Sequence, residues 1–170
     1  MALQAGHRKS VDLDLFGALS LDETILTETV SSMGNIVWLN KLKNIKSLLV
    51  NGIKVDFVNY SYPWLSEPLN ENNIRLASKK DIAAMKLSAI TGRGAKKDFT
   101  DLYFLLKEFS LKEMVQLYEE KFADGSAFMV LKSLVYFEDA ENDEMPEMLM
   151  PASWEMIKKT VTQHHRKYFQ

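Results

Sequence analysis

Two carboxylates one residue apart, Asp12 and Asp14, sit inside the apolar run Val11-Asp12-Leu13-Asp14-Leu15-Phe16, and no other pair in this 170-residue chain points as directly to chemistry. In an extended strand alternate side chains share a face and the rise is about 3.3 Å per residue, so Asp12 and Asp14 project together, about 7 Å apart at the backbone. Asp is depleted in strands, and two like charges on one face are costly to bury, so something should offset both penalties. Mg²⁺ does so, because it takes hard carboxylate oxygens and keeps positions open for water and phosphate oxygens. For a bare Asp-x-Asp the plainer reading is a strand end with both aspartates hydrated, so other residues must carry the case. Asp56 is a third candidate: it alternates with Val55 and Phe57, and in a sheet it can share a face with Asp12 and Asp14, although the open face of a hairpin explains it equally.

The elements that would position these residues are legible in outline. Gly6 to Ser10 is a polar turn, and residues 22–32 form a helix with Asp22 as cap, Leu21, Ile25 and Leu26 on its apolar side and Gly34-Asn35 after it. Ile36 to Leu39 adds a strand. Ile45 to Val50 and Ile53 to Val58 flank Asn51-Gly52, a hairpin signal because a type I′ turn needs positive φ at both central residues. Residues 62–73 read as a loop, after which the pattern is helical almost to the end. Ser78 and Asp81 open a helix that Gly92 closes; its stripe of Ile82, Met85, Ala89 and Ile90 has Lys86 in the middle. A lysine there either snorkels out or is held for its charge. Asp98 lies on the stripe of Leu102, Leu105 and Leu106, with Asp101 three residues on and a basic lead-in, Arg93 to Lys97; first-turn acids also fit the helix dipole. Lys86 and Asp98 could pair with each other or surround a polyphosphate.

The remainder reads as scaffold. Ser110 and Glu113 form a capping box for a helix with Leu111, Met114, Val115, Tyr118 and Phe122 inward. Residues 126–137 are expected to be a buried helix, residues 138–147, with six acids, a solvated loop, and 153–167 a helix with Trp154, Ile157 and Val161 inward. His164 and His165 point about 100° apart on that helix and are expected at the surface rather than on one metal ion.

Composition sets bounds. Hydrophobic residues make up 46% and charged residues 26%, a globular mix, and the net charge of −2 means that an anionic partner must be met by a local patch. There are no cysteines, which excludes disulfides and thiolate chemistry and fits a cytoplasmic location. No window is long and apolar enough for a membrane span, and the N-terminus has no signal-peptide core.

Taken together, Arg8-Lys9-Ser10-Val11-Asp12-Leu13-Asp14-Leu15-Phe16, Val55-Asp56, Asp81 to Ile90, and Arg93 through Lys97-Asp98-Phe99-Thr100-Asp101-Leu102-Tyr103 resemble the AbiEii/AbiGii toxin family of nucleotidyltransferases, in the DNA polymerase β-like superfamily. The resemblance covers the first two thirds of the chain. It implies an α+β protein, with a nucleotidyltransferase-like small mixed β-sheet over residues 1–75 and a helical region over 76–170. It also implies Mg²⁺ on Asp12 and Asp14, with Asp56 as a third carboxylate that helps activate the incoming hydroxyl. Lys86 would contact the triphosphate, Asp98 or Asp101 would be the acidic partner of the helical motif, and Arg8, Ser10 and Arg93 would join Lys86 on the nucleotide. The activity implied is transfer of a nucleoside monophosphate from an NTP to an acceptor hydroxyl, with tRNA as an acceptor and a cognate antitoxin as a protein partner. The alternative is a catalytically inactive member that binds nucleotide or a protein partner. One departure matters: the family has a Gly-Gly or Gly-Ser pair before the Asp-x-Asp, at a helix N-terminus that cradles phosphates. Here Met1 falls inside that helix and the pair is missing, as expected of a truncated chain, a misassigned start or a degenerate homologue.

Overall fold

The computed structural model describes residues 1–17 and 23–170, so the proposed Asp22 cap and Leu21 lie outside the described residues. Along the chain run α1 (Ala2–Ala5), β1 (Asp12–Gly17), α2 (Glu23–Ser31), β2 (Ile36–Lys41), β3 (Ile45–Val50), β4 (Ile53–Asn59), β5 (Leu69–Glu71) and β6 (Ile74–Leu76). The helices α3 (Lys79–Gly92), α4 (Lys96–Leu105), α5 (Leu111–Lys121), α6 (Ala127–Ser133), α7 (Glu138–Glu141) and α8 (Trp154–Tyr168) follow. Packing divides the chain into two units, residues 10–62, and residues 1–9 with 63–170. The sequence division at 75 and 76 differs from this by the 63–75 segment and by the first nine residues, which pack with the helices.

The sheet unit is built on its hairpin. Asn51 and Gly52 take φ of 50° and 84°, the two positive values a type I′ turn requires, and Val50 stands opposite Ile53. The same asparagine fixes the approach to β2: its Oδ1 accepts the Asn35 N–H at 3.0 Å and its Nδ2 donates to the Met33 carbonyl at 3.0 Å. Gly34 is required there twice over, by a φ of 144° and because a Cβ would lie 2.2 Å from Asn51 Nδ2. The strand order is β1-β4-β3-β2, with β1 parallel to β4 and the other pairs antiparallel, a small mixed sheet. Leu48 and Val55 on one face pack with Val30 and Leu26 of α2. Alternation therefore turns Asp12, Asp14 and Asp56 to the other face.

In the helical unit α3 packs against α4, α5 and α6. Ile82 and Ile90 of the expected stripe are buried, but Met85 and Ala89 are only half-buried, while Ala83, Ala84 and Leu87, off the stripe, are fully buried. A helix surrounded on several sides has no single apolar stripe, which is why periodicity found only part of its core face. Both hydrogen bonds of the Ser110–Glu113 capping box form. Ile157 and Val161 of α8 are buried as expected.

Three expectations are corrected. Residues 126–137 are not a buried helix: α6 ends at Ser133, Val130 and Leu134 point inward, and Phe128 is 73% exposed, with Met129, Val135 and Tyr136 also exposed. The acidic 138–147 segment is solvated, with all six acids exposed, but it is not simply a loop. It contains α7, buries Ala140, and places the Asp143 carboxylate on the Lys96 N–H at 2.9 Å. That bond supplies α4 with the cap that its own Ala95 cannot. The buried Lys96 ammonium in turn donates to the carbonyls of Glu141 and Asp143. Within the expected 62–73 loop, Asn72 and Asn73 both adopt positive φ and join β5 to β6. Tandem asparagine is a weaker form of the signal that revealed the first hairpin.

Candidate active site

Two constellations hold the candidate residues, one in each unit. In the sheet unit β1 and β4 run parallel with Asp12 opposite Lys54 and Asp14 opposite Asp56. Neighbouring strands lie about 4.8 Å apart, so the Asp14–Asp56 pair juxtaposes two like charges, with Asp12 two residues along on the same face. Lys54 offsets part of this. Its ammonium pairs with the Asp56 carboxylate, and that hydrogen bond, helped by the fields of Asp56, Asp12 and Asp14, holds the Lys54 amine above its ordinary range. Lys54 was not singled out in the sequence, although its alternation with Asp56 placed it on the same face. Ser10 is exposed and donates its hydroxyl to the Asp12 carbonyl at 3.2 Å, bracing the strand start.

Among the described residues no three His, Cys, Asp or Glu side chains converge closely enough to hold a metal by themselves. Mg²⁺ asks for less: one or two carboxylates, with waters and substrate phosphates completing the shell. Asp14 beside Asp56, with Asp12 on the same face, is a donor set of that kind, and the lysine ammonium already drawn to it acts as a stand-in cation.

The helical unit holds Asp98 and Asp101, both fully buried. Lys86 Nζ reaches Asp98 Oδ1 at 3.1 Å and Asp101 Oδ2 at 2.8 Å. Arg93 grips Asp98 with Nε on Oδ2 at 2.7 Å and Nη2 on Oδ1 at 2.9 Å. Arg8 grips Asp101 in the same two-pronged way, with Nε on Oδ1 at 2.7 Å and Nη2 on Oδ2 at 3.0 Å. The fully buried His7 donates Nε2–H to Asp101 Oδ1 at 2.7 Å, since an ionised carboxylate only accepts, and its ring lies 4.5 Å from that of Phe104. Burial alone would raise the Asp101 carboxyl; hydrogen bonds from His7 and Arg8 and the charges of Lys86 and Arg8 outweigh it and hold the group far below the usual carboxylate range. Asp98 is lowered too, burial being outweighed by Arg93 and Lys86. The lysine on the α3 surface is thus held for its charge. Its side chain keeps 18% exposure and that of Arg93 56%, so both cations retain a solvent-facing side.

His7 was missed because an isolated histidine in a polar turn carries no periodic signal. A third buried acid was read only as a capping residue. Ser78 Oγ does accept the Asp81 N–H, but the Asp81 carboxylate takes Lys121 Nζ at 2.6 Å, the Leu65 N–H at 2.9 Å and the Ser78 hydroxyl at 2.6 Å. Lys121 also donates to the Pro63 carbonyl at 2.6 Å and lies over the Trp64 ring. A signal existed: Lys121 follows Met114 and Tyr118 at helical spacing on the buried side of α5.

A mixed sheet with three aspartates on its open face, followed by helices, defines a nucleotidyltransferase-type fold. Two crystal structures from Helicobacter pylori share it. One, of a protein proposed to be a nucleotidyltransferase, is 16% identical with a TM-score of 0.52 and covers 94% of this chain and 80% of its own. The other, JHP933, is 18% identical with a TM-score of 0.51, covering 94% and 77%. Residues 1–170 match the family described as nucleotidyl transferase AbiEii toxin of a type IV TA system, and the chain belongs to that family. An uncharacterized protein of Aquifex aeolicus (strain VF5) is 35% identical over 176 residues, spanning all of this chain and 84% of its own length. Among the described residues no helix is long and apolar enough to cross a membrane.

Proposed function

We propose that this protein transfers a nucleoside monophosphate from an NTP to an acceptor hydroxyl, with Mg²⁺ as cofactor, RNA of the tRNA class as acceptor and an antitoxin as its regulatory partner. The observation that carries the reading is the register of β1 on β4, which sets Asp14 opposite Asp56 with Asp12 on the same face. Asp12 and Asp14 would hold the metal, which neutralises phosphate charge and polarises the transferred phosphoryl group when bound. Asp56 would accept the proton of the attacking hydroxyl. Such transfer needs positioning and charge neutralisation more than covalent participation, which is what carboxylates that hold a metal, and cations that meet the phosphates, would supply.

Lys86 and Arg93 are the cations we assign to the triphosphate, since each keeps a solvent-facing side. Asp98 and Asp101 hold Lys86 in place. Arg8, with its side chain 9% exposed and both prongs on Asp101, is assigned to support rather than to phosphate contact.

The test is pyrophosphate release with each NTP, with and without total tRNA, in the wild type, Asp12→Asn and Asp14→Asn. Release in the wild type that falls by at least about 10²-fold in either variant, with unchanged circular dichroism, is expected. Calorimetric heat from NTP binding without any pyrophosphate would replace this reading with that of an inactive nucleotide binder. No heat with any nucleotide would remove both.

A further inference from the structure

The acidic face does not stop at Asp56. In register, Asp14 stands opposite Asp56, Asp56 opposite Ser47, and Ser47 opposite Asn40, so one row of polar side chains crosses all four strands. Its last member owes its place to an irregularity. The pairing of β2 with β3 shifts between Trp38 and Asn40, and this bulge inserts one residue. Without it, alternation would put Asn40 on the same face as Trp38, which packs with Leu48, Val55 and α2. With it, Asn40 turns to the face of Ser47 and Asp56. Bulges re-aim side chains in this way and recur beside active sites.

One hydrogen bond of the row, at its β2 end, is formed. Asn40 Nδ2 donates to Ser47 Oγ at 2.9 Å, while Asn40 Oδ1 is buried and has no hydrogen-bond partner. A side chain placed for stability alone would not leave a buried acceptor unmatched. Ser47 is itself almost completely buried on a strand where valine or threonine would pack as well. Because its oxygen already accepts from Asn40, the Ser47 hydroxyl proton is left to be given elsewhere; directly across the β3–β4 ladder stands Asp56, whose Oδ2 is held by Lys54 and whose Oδ1 accepts no hydrogen bond from Ser47 in this structure.

We propose that Ser47 and Asn40 are positioning residues for Asp56: the Asn40 amide orients the Ser47 hydroxyl, and when a bound cation draws the Asp56 carboxylate from Lys54 that hydroxyl donates to one of its oxygens while the other turns to Asp14. This rests on the reading of Asp12, Asp14 and Asp56 as a divalent-cation site. Residues that orient a metal-binding carboxylate change metal affinity about 10- to 100-fold when removed.

The experiment titrates the full chain with Mn²⁺, a spectroscopic substitute for Mg²⁺, and reads bound metal by electron paramagnetic resonance, with melting temperatures recorded alongside. The variants are Ser47→Thr, which keeps the hydroxyl, Ser47→Val, which removes it at similar volume, and Asn40→Ala. Leu49→Ala serves as control, because Leu49 faces the same way but lies in the Lys54 row. Affinity at least about 10-fold weaker in Ser47→Val and Asn40→Ala, retained in Ser47→Thr and in Leu49→Ala, is the expected pattern. If Ser47→Val does not fold, Asn40→Ala against Leu49→Ala decides alone. Unchanged Mn²⁺ affinity in Ser47→Val or Asn40→Ala overturns the positioning role and leaves the cation site standing. A wild type that binds no Mn²⁺ overturns the cation site and this proposal together.

Discussion

Aspartate behaves in opposite ways in the two units. In the helical unit Asp81, Asp98 and Asp101 are fully buried and each is met by cations at hydrogen-bond distance: Lys121 for the first, Lys86 and Arg93 for the second, Lys86 and Arg8, with the His7 ring beside them, for the third. In the sheet unit Asp14 is exposed and stands opposite another aspartate, and the Lys54 ammonium that pairs with Asp56 also lies in the fields of Asp12 and Asp14. The first arrangement closes each acid on cations of the helices around it. The second sets two aspartates face to face across a strand pair, a juxtaposition that a bound divalent cation would relieve.

The comparison breaks most visibly at Lys121. Replacing it with methionine leaves Asp81 buried without its cation, so Lys121→Met should lose about 3–5 kcal/mol in urea unfolding. A loss under about 1 kcal/mol would mean that the helical acids are not held by their partners. Acid should act through the same groups. Asp81, Asp98 and Asp101 have folded-state values lowered from the ordinary one, so each contributes stability that is fully present above the unfolded value, about 3.9, and is lost as pH falls toward the folded values. Unfolding midpoints should therefore drop steadily below about pH 4, and less steeply in Asp101→Asn, which no longer has that proton to take up.

Gly34→Ala tests whether the sheet unit has a tight frame of its own. A side chain at φ of 144°, meeting the Asn51 amide, should cost about 1–3 kcal/mol. The smallest effect has the opposite sign. Asp14→Asn removes one of two facing like charges, so without metal the melting temperature should rise by about 1–2 °C, whereas the same change at Asp98 should lower it. A fall for Asp14→Asn would show that its charge is already compensated. That pair of variants is the sharpest form of the contrast.

Much of the sheet unit was legible because its signals are local. Asn51-Gly52 specified the hairpin, and period-two alternation put Asp12, Asp14 and Asp56 on one face. The helical unit gave up its capping box at Ser110 and Glu113 but hid its charge network, because ion pairs such as Arg8 with Asp101 or Lys121 with Asp81 join residues far apart in the chain. Local helix rules explained Asp81 and Asp98 too easily as first-turn acids. The exposed side of α6 misled for the reverse reason: an apolar run reads as buried, yet Phe128 and Met129 face solvent.

The parallel pairing of β1 with β4 also has a kinetic side. The β3–β4 hairpin closes through a two-residue turn, while β1 can dock only after the whole of α2, β2 and that hairpin have been spanned. Loop-closure entropy delays such contacts, so the order of assembly puts Asp56 in place first and brings Asp12 and Asp14 to it last. The electrostatic repulsion of the face is then met at the end of folding, in the unfolding rate rather than the refolding rate. Divalent ions should accordingly slow unfolding of this sheet in stopped-flow measurements and leave its refolding limb almost unmoved.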